Sequence, residues 1–555
     1  MSARLPLTAV LVVLISLPLP GYAAPSASGD AQLSDSPYYG VVWAPPSHPG
    51  PALRTLDAMH TRGVTAIRLK SLPPADTVWA RADSLGMHLF VDLPVRAVSA
   101  SGLDAALRAA RPTLRRLQRL ARSHSSIRAV GLGSGLDTSV KAACPPLQAW
   151  SQRVHEETPS LQTYYVTPFT AAHDQCRTAV DLALLDTRGR EAPVDRWRAW
   201  RSSDPPVGIG ALGTWTRSEA PPGLTVPHSP HRQARHLERA LSSLLAPGTA
   251  TRPPVFVYRW QDHTSPLPPD RRYGLHDGSG TTRPAAEVLG GFYTGDQRVF
   301  AFPSGTAPST APVGTILLSW LLVALLGGLY ARNPFVRQTV PRYFAAHGFY
   351  RDAVQEGRDV GVIENLVLLG GVGLALGIVG TLTAQIAAPQ PETALLLEAL
   401  PPGLRTTLAT GLTHPSLSGL FVGLLTVLLM LVWNALLVLT AQLEGPFSMA
   451  QGLMLITWPC WPALVGMLIA LVAAIQPPVS TGWLGLLLLI GGSGAILAVT
   501  VRVLRDYWIV SGLPLYWVLL LLLPSPLALT LLGLGLLDTA YDLPVSLLWH
   551  LATRT

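Results

Sequence analysis

Apolar and polar positions divide the chain into two parts. From about Ser36 to Phe302, short apolar runs of roughly 4–8 residues are separated by polar stretches. From Val313 to Leu537, the apolar segments are much longer and few charged residues interrupt them. Residues 303–312, rich in Pro, Ser and Thr, lie between the two parts and have the composition of a linker. The pattern therefore predicts a water-facing domain followed by a membrane domain.

In the first part, eight short β-rich runs alternate with amphipathic helical stretches. The candidate strands are 38–43, 66–70, 88–95, 127–133, 163–167, 180–186, 207–212 and 255–260. The connection around 168–177 is short and poorly helical. Eight strands with crossovers predict an α/β fold, a (β/α)8 TIM barrel, over residues 36–302. The alternative is an open doubly wound sheet, but the turn at 44–50 lacks the Gly-rich loop that binds a dinucleotide.

The second part contains six candidate membrane spans. Each approaches or exceeds the ~20 residues that a helix needs to cross the hydrocarbon layer. They predict an all-α polytopic transmembrane domain, with a first helix at 313–331 and a five-helix bundle over 361–537. The six spans are 313–331, 362–388, 416–441, 452–475, 482–501 and 513–537.

The distribution of arginine predicts the orientation of these spans. The loop 332–360 contains five arginines, and Arg502 and Arg505 lie between the fifth and sixth spans. Because positive loops stay in the cytoplasm, the barrel and the tail 538–555 are expected on the other side of the membrane.

The N-terminus predicts the same orientation independently. Residues 1–23 read as a cleaved signal peptide, with Arg4 ahead of the apolar stretch 5–19 and small residues near 21–23, and residues 24–35 read as a flexible segment. We therefore expect a multi-pass protein of the cytoplasmic (inner) membrane with a periplasmic barrel.

Charge and cysteine content exclude several classes of protein. The net charge of +8 suggests a nucleic-acid partner, but no Lys/Arg-rich block occurs, so we expect the lipid bilayer and no nucleic acid as partners. Three cysteines are too few for a disulfide-rich scaffold or a Cys-based zinc ribbon. Cys144 and Cys176 can pair in an oxidising compartment, a question that the sequence leaves open. The histidines have no metal-site spacing, so no metal and no cofactor is expected.

The chemistry of a TIM barrel lies at the carboxyl ends of its strands. Aromatic side chains there can stack on sugar faces, while carboxylates and arginines can bind hydroxyl groups. Aromatic residues also pack the core of any barrel, so both interpretations stay open. The candidate ligand-binding residues at these ends are Trp43, Arg68, Asp92, Tyr165, Trp215, Trp260 and Asp262.

Four stretches of the barrel resemble one family of glycoside hydrolases. They are LDAMHTRGVTAIR at 56–68, ADSLGMHLFVDLP at 82–94, HSSIRAVGLG at 124–133, and the group RWQD, YGLHDG and RPAA between 259 and 286. Their order and spacing are similar to the β-galactosidase/β-glucuronidase family over residues 38–293. The resemblance implies a TIM barrel with a polysaccharide or oligosaccharide ligand. The last five spans are weakly similar to Yip1-type membrane domains.

The resemblance breaks at the two positions that carry catalysis in this family. A retaining glycosidase needs two carboxyl groups ~5–5.5 Å apart. The family's acid/base glutamate follows an asparagine at the end of the fourth strand, where this chain has Ser134 and Gly135. The position of the family's nucleophile, on the seventh strand, is Ala211. Both catalytic positions are therefore degenerate.

Two hypotheses from different classes follow. The first is a membrane-anchored, extracytoplasmic pseudoenzyme that binds a cell-envelope or exported glycan without cleaving it. The alternative is an active membrane-bound glycoside hydrolase, which hydrolyses O-glycosyl bonds with relocated carboxylates. A carboxyl pair in the cleft separates the two hypotheses, and a function centred on the membrane half is a third interpretation. The fallback carboxylates are Asp137, Glu219, Asp186 and Asp262.

Overall fold

The computed structural model of this 555-residue chain describes most of the barrel and of the membrane domain. The expected signal peptide 1–23, the segment 24–35, residues 307–312 of the expected linker and the candidate Glu219 lie outside the described residues. The described ranges are 38–73, 75–200, 206–217, 220–246, 252–262, 272–306, 313–475, 481–541 and 545–554.

Eight parallel strands form a closed barrel in which each strand pairs with its neighbours along the chain. The register closes where β1 pairs with β8, for example with Val41 beside Val257. The predicted barrel is thereby confirmed. The strands are β1 Tyr39–Trp43, β2 Ala66–Leu69, β3 His88–Asp92, β4 Ile127–Ser134, β5 Gln162–Thr167, β6 Leu182–Asp186, β7 Val207–Leu212 and β8 Val255–Tyr258.

Helices follow the strands and form the outer layer of the barrel. The connection between β5 and β6 has only a single 3₁₀ turn, Arg177–Ala179, as its poor helical pattern predicted. A disulfide joins Cys176, next to this turn, to Cys144 at the start of α4. The helices are α1 Pro49–Thr61, α2 Asp76–Ser84, α3 Leu103–Ser123, α4 Cys144–Glu157, α5 Pro193–Arg198, α6 Pro230–Leu244 and α7 Pro284–Thr294.

The two faces of each strand serve different layers. Outward residues such as Val41, Ile67 and Val91 join the apolar cluster between strands and helices. Because side chains alternate along a strand, their neighbours Arg68 and Asp92 point into the barrel. Glycines make room for the larger inward side chains: a Cβ at Gly131 would lie 2.8 Å from the Tyr164 ring.

Four helices in the described part of the membrane domain are long and apolar enough to span a bilayer. They are α8 Val313–Arg332, α11 Val362–Ala387, α14 Pro415–Ala441 and the stretch Met449–Ala474. The stretch combines α15 Met449–Thr457, a 3₁₀ turn and most of α16 Pro462–Ile475. Together they confirm a polytopic helical domain after the barrel.

The last two expected spans, 482–501 and 513–537, stay predictions. The first falls within α17 Thr481–Ser511, and the second is divided between α18 Leu515–Leu520 and α19 Pro526–Tyr541.

Short helices connect the spans at both ends. The helices α9 Pro334–Ala345 and α10 His347–Gln355 precede the first residue of α11, and α12 Pro391–Ala399 and α13 Pro402–Thr413 follow its last residue. The chain closes with α20 Val545–Arg554.

The strand-end face of the barrel contacts two of these short helices. Leu395 of α12 and both Leu547 and Leu551 of α20 pack with Phe169, which follows β5, in one buried apolar cluster. The face that carries the site in a TIM barrel is thus part of an internal interface with the membrane domain.

Candidate functional site

The ends of β4 and β7 carry no carboxylate. Gly135 follows β4 with a positive φ of 67°, and its N–H donates to the carbonyl of Val166. Ala211 is buried within β7, and its carbonyl accepts hydrogen bonds from the N–H and the hydroxyl of Thr187. At each of the two positions there is therefore a small residue whose backbone is hydrogen-bonded to a neighbouring strand or loop.

A closed polar network lies inside the barrel, and it brings together two of the predicted site residues. The Arg68 guanidinium forms a fork on Asp92, with Nε–Oδ1 at 3.0 Å and Nη2–Oδ2 at 2.6 Å. Its Nη1 donates to the carbonyl of Gly210 at 2.9 Å. The Tyr164 hydroxyl donates to Asp92 Oδ1 at 2.7 Å. We call these residues, Arg68, Asp92 and Tyr164, the inner network.

The inner network is sealed and fully paired. Arg68 is 1% exposed and Asp92 is 2% exposed. Burial raises the pKa of the Tyr164 phenol well above its ordinary value, and Asp92 raises it further. Burial opposes the charge of Arg68, but Asp92 outweighs this effect and raises the pKa of the guanidinium. The network therefore holds one charge of each sign and a neutral phenol.

A second network lies at the mouth of the barrel and joins the two domains. Arg188 lies two residues after Asp186 in the chain. Its guanidinium contacts the Asp186 carboxylate through Nε at 2.9 Å and Nη2 at 2.6 Å. The same guanidinium donates from Nη1 to Glu398 Oε1 at 2.8 Å and from Nη2 to Oε2 at 3.3 Å. Glu398 belongs to α12, so the membrane domain supplies one of the two carboxylates.

Further cations surround this carboxylate pair. The Lys70 ammonium, which follows β2, lies 3.2 Å from the Tyr258 hydroxyl at the end of β8. Arg96 donates to the carbonyl of Lys70 at 2.7 Å. We call the group Lys70, Arg96, Asp186, Arg188, Tyr258 and Glu398 the mouth network.

Charge within the mouth network shifts three pKa values downward. Burial opposes ionisation of Asp186 and Glu398, but Arg188 outweighs it and lowers the pKa of both carboxyls, that of Glu398 with help from Lys70. Burial also opposes ionisation of Tyr258, yet Lys70 and Arg188 lower its pKa to about 8. Both carboxylates of the mouth are thus held in the ionised form.

The two other fallback carboxylates that the structure describes, Asp137 and Asp262, are also engaged. Asp137, beyond β4, accepts a hydrogen bond from Ser139 at 2.7 Å and lies 2.9 Å from His550 Nδ1 of α20. Asp262, beyond β8, pairs with Arg283 at 2.6 Å and accepts the N–H of Gly274 at 2.7 Å. Each of the two therefore links elements of the structure.

The aromatic candidates are buried in the wall of the barrel or in its loops. Trp43 and Tyr165 belong to the apolar layer between strands and helices, and the Tyr165 hydroxyl donates to Asp174 at 2.8 Å. Trp215 stacks on His228 at 3.5 Å between ring centroids, and Trp260 lies 4.6 Å from the ring of His276. Each of these four side chains is thus packed against other residues of the barrel, and Trp260 also belongs to the apolar layer.

Sequence reasoning missed several residues of the two networks. The predicted site contains Tyr165 and not its neighbour Tyr164, whereas the alternation of β5 places Tyr164 inside the barrel. Arg188 and Tyr258 adjoin strand ends, a signal that could have found them. Glu398 gave no signal, because it lies between two membrane spans. Within the described ranges, no group of three His, Cys, Asp or Glu side chains is placed to hold a metal ion.

No family model and no curated protein matches this chain. Among solved structures, a GH2 β-galacturonidase from Eisenbergiella tayi bound to galacturonate is 14% identical with a TM-score of 0.41, covering 48% of this chain and 52% of that one. A β-glucuronidase from an uncultured Clostridium sp. is 12% identical with a TM-score of 0.42, covering 47% and 50%. A putative β-galactosidase from Bacteroides fragilis is 14% identical with a TM-score of 0.38, covering 47% and 42%. The chain spans about half the length of these structures or less. They are the kinds of enzyme that the sequence motifs resemble, and the likeness concerns the fold alone.

Proposed function

We propose that this protein is a membrane-anchored, extracytoplasmic glycan-binding protein whose glycosidase-like barrel does not cleave its ligand. The observation that carries the proposal is the carboxylate pair of the mouth, Asp186 and Glu398, which shares a single guanidinium. While Arg188 holds both in the ionised form, neither carboxylate can supply the proton that a glycosidic leaving group needs.

Hydrolysis requires one carboxyl group that stays protonated near neutral pH and a second that is ionised. Asp186 and Glu398 both bond Nη2 of Arg188, so they lie close together, but the pKa of each is lowered. Of the other candidates, Asp137 and Asp262 are tied to His550 and Arg283. The ion pairs that engage these four described carboxylates therefore support binding over cleavage.

Donors at the mouth can bind the hydroxyl groups of a glycan. Arg96 is exposed and Lys70 is half-buried. Lys70 lies beside the Tyr258 hydroxyl, and Arg96 donates to the carbonyl of Lys70. The inner network stabilises the barrel that carries these donors, because Arg68 connects β2 with β3 and β7. We assign ligand contact to the mouth and a supporting role to Arg68 and Asp92.

Three observations support a cytoplasmic-membrane location with an extracytoplasmic barrel. Four helices are long and apolar enough to span a bilayer. The arginine-rich helices α9 and α10 and the barrel-contacting α12 adjoin opposite ends of α11, which agrees with the positive-inside rule. The Cys144–Cys176 disulfide suits an oxidising compartment.

Thermal unfolding of the full chain in nanodiscs, against a panel of oligosaccharides, tests this function. A ligand at a hundredfold its Kd adds about 2.7 kcal/mol of stability. We expect a stabilising oligosaccharide to be recovered intact by mass spectrometry. Cleavage of that oligosaccharide supports the hydrolase hypothesis instead. The same cleavage should then persist in Asp57→Asn, which is the control because it removes an exposed carboxylate of α1 outside the mouth. A panel without any stabilising glycan contradicts the proposal.

A further inference from the structure

The buried Arg188 of the barrel depends on the membrane domain for part of its charge compensation. Its side chain is 8% exposed, whereas the side chain of its partner Glu398 is 36% exposed. The other carboxylate, Asp186, is buried and bonds through its own edge of the guanidinium. The second edge of the guanidinium, formed by Nη1 and Nη2, thus bonds the carboxylate of Glu398, which solvent can reach.

The charges at the mouth are unbalanced without this group. Lys70, Arg96 and Arg188 bring three positive charges from the barrel, and Asp186 is the barrel's own carboxylate in the network. A guanidinium fork matches a carboxylate in geometry as well as in charge. Glu398 meets both requirements, so it occupies the position that an external carboxylate would take.

Arg188 is covered while Glu398 is in place, since its side chain is only 8% exposed. A small cavity beside Arg188, lined by Asp186, Arg190 and Tyr273 and by Pro391, Ala394 and Leu395 of α12, measures about 10 Å³. This volume holds no more than about one water molecule. A sugar can reach Arg188 only if α12 moves or the Glu398 side chain turns away.

We propose that the second edge of Arg188, with Lys70 and Arg96, is a binding site for a carboxylate-bearing glycan, and that Glu398 is the internal occupant which this ligand displaces. The inference rests on the proposed function, since it names the class of glycan and the way in which the site is gated. A neutral glycan lacks the charge to replace Glu398 and leaves the mouth closed.

Binding of two matched probes to the full chain in nanodiscs tests the inference. Hexamannuronate carries a carboxylate on every sugar, and mannohexaose is its neutral counterpart. We expect Glu398→Gln to tighten hexamannuronate binding by about tenfold, because the ligand no longer competes with an internal carboxylate. Glu398→Ala should act in the same direction. Glu392→Gln is the matched control, because Glu392 lies on the same helix as Glu398. This variant removes the ion pair of Glu392 with Arg190 of the barrel and should leave the affinity unchanged.

Each result separates this inference from the function on which it rests. If both probes bind equally and neither Glu398 variant changes the affinity, the acidic-glycan site is overturned while glycan binding stands. Inorganic phosphate that competes as well as mannuronate overturns the assignment to carboxylates. If no probe binds any variant, while other glycans from the panel bind, the inference alone fails. If nothing binds at all, the proposed function fails with it.

Discussion

The barrel contains two arginine-centred networks that are built from similar groups and placed in different surroundings. The inner network joins Arg68, Asp92 and Tyr164, which lie on three strands of the barrel. The mouth network joins Arg188 to Asp186 of the barrel and to Glu398 of the membrane domain. One network is completed within a single domain, and the other needs two.

The surroundings of each network determine what the network can do. All members of the inner network are buried and lie on strands, so breaking it means disturbing the barrel itself. The mouth network has one partly exposed member on a short helix, so that member can leave while the pair of Asp186 and Arg188 persists. We therefore expect the inner network to serve stability and the mouth network to serve recognition.

The largest expected effect comes from Asp92→Ala. The substitution leaves the buried Arg68 charge unpaired, which costs about 3–5 kcal/mol of barrel stability. Hydrogen exchange of peptides from β2–β4, measured on the full chain, reports the loss. Asp57→Ala is the control, because its pair with Arg81 is exposed and contributes at most about 1 kcal/mol. Similar losses in the two variants would contradict a structural role for the inner network.

Arg188→Met tests how much the barrel depends on the mouth network. The change leaves the buried Asp186 carboxylate without its cation, and we expect a loss of about 3 kcal/mol. Glu398 is partly exposed, so water can solvate its carboxylate when Arg188 is replaced. Because α12 then loses this ion pair with the barrel, its backbone amides should also exchange faster. Hydrogen exchange of peptides from β6 and from 391–399 separates the two effects. Faster exchange in α12 alone would mean that Asp186 needs no partner.

The fold could be predicted because its signals are local and repeated. Short apolar runs with intervening helical patterns identified eight strands, and long apolar segments identified the membrane helices. Arg68 and Asp92 were also found from sequence, since both lie at strand ends. The contacts between domains could not be found in this way, because nothing local in Glu398 or His550 marks a partner that is more than 200 residues away.

The face of a strand on which a side chain lies is harder to predict than the strand itself. Tyr164 and Tyr165 are neighbours of the same type, and a shift of one residue exchanges their faces. The structure places Tyr164 inside, against Asp92, and Tyr165 in the outer layer. Trp43 likewise lies in the outer layer. Register within the barrel decides such cases, and register depends on the closed sheet as a whole.

Ionisation of Tyr258 tests the charge at the mouth. Of the 14 tyrosines, this one should ionise near pH 8, because Lys70 and Arg188 outweigh its burial. Since the pKa is lower in the folded chain than in the unfolded one, the resulting stability is absent below pH 8. It grows between pH 8 and about 10, where it reaches about 3 kcal/mol.

Difference absorbance of the phenolate measures this step directly. Tyr258→Phe should remove the step, and Lys70→Gln should move it to higher pH because the nearest positive charge is lost. A titration that is unchanged by Lys70→Gln would show that the ammonium does not face the phenol. The inner Tyr164, whose pKa is raised, should show no step in the same range.

The smallest expected effect is that of His550→Ala, at another contact between the strand-end face of the barrel and the membrane domain. His550 lies 2.9 Å from Asp137, which keeps its bond to Ser139 when the imidazole is removed. The apolar contacts of Leu547 and Leu551 also remain. We therefore expect about 1 kcal/mol of easier opening in α20, seen as faster exchange of peptides from 545–554, and no change in the strands. Thr553→Ala is the control, because this hydroxyl bonds only within its own helix turn, to the carbonyl of Trp549. If hydrogen exchange of the strand peptides rises as much as in Asp92→Ala, the contact between Asp137 and His550 stabilises the barrel as the inner network does. That result would contradict the distinction between the two networks.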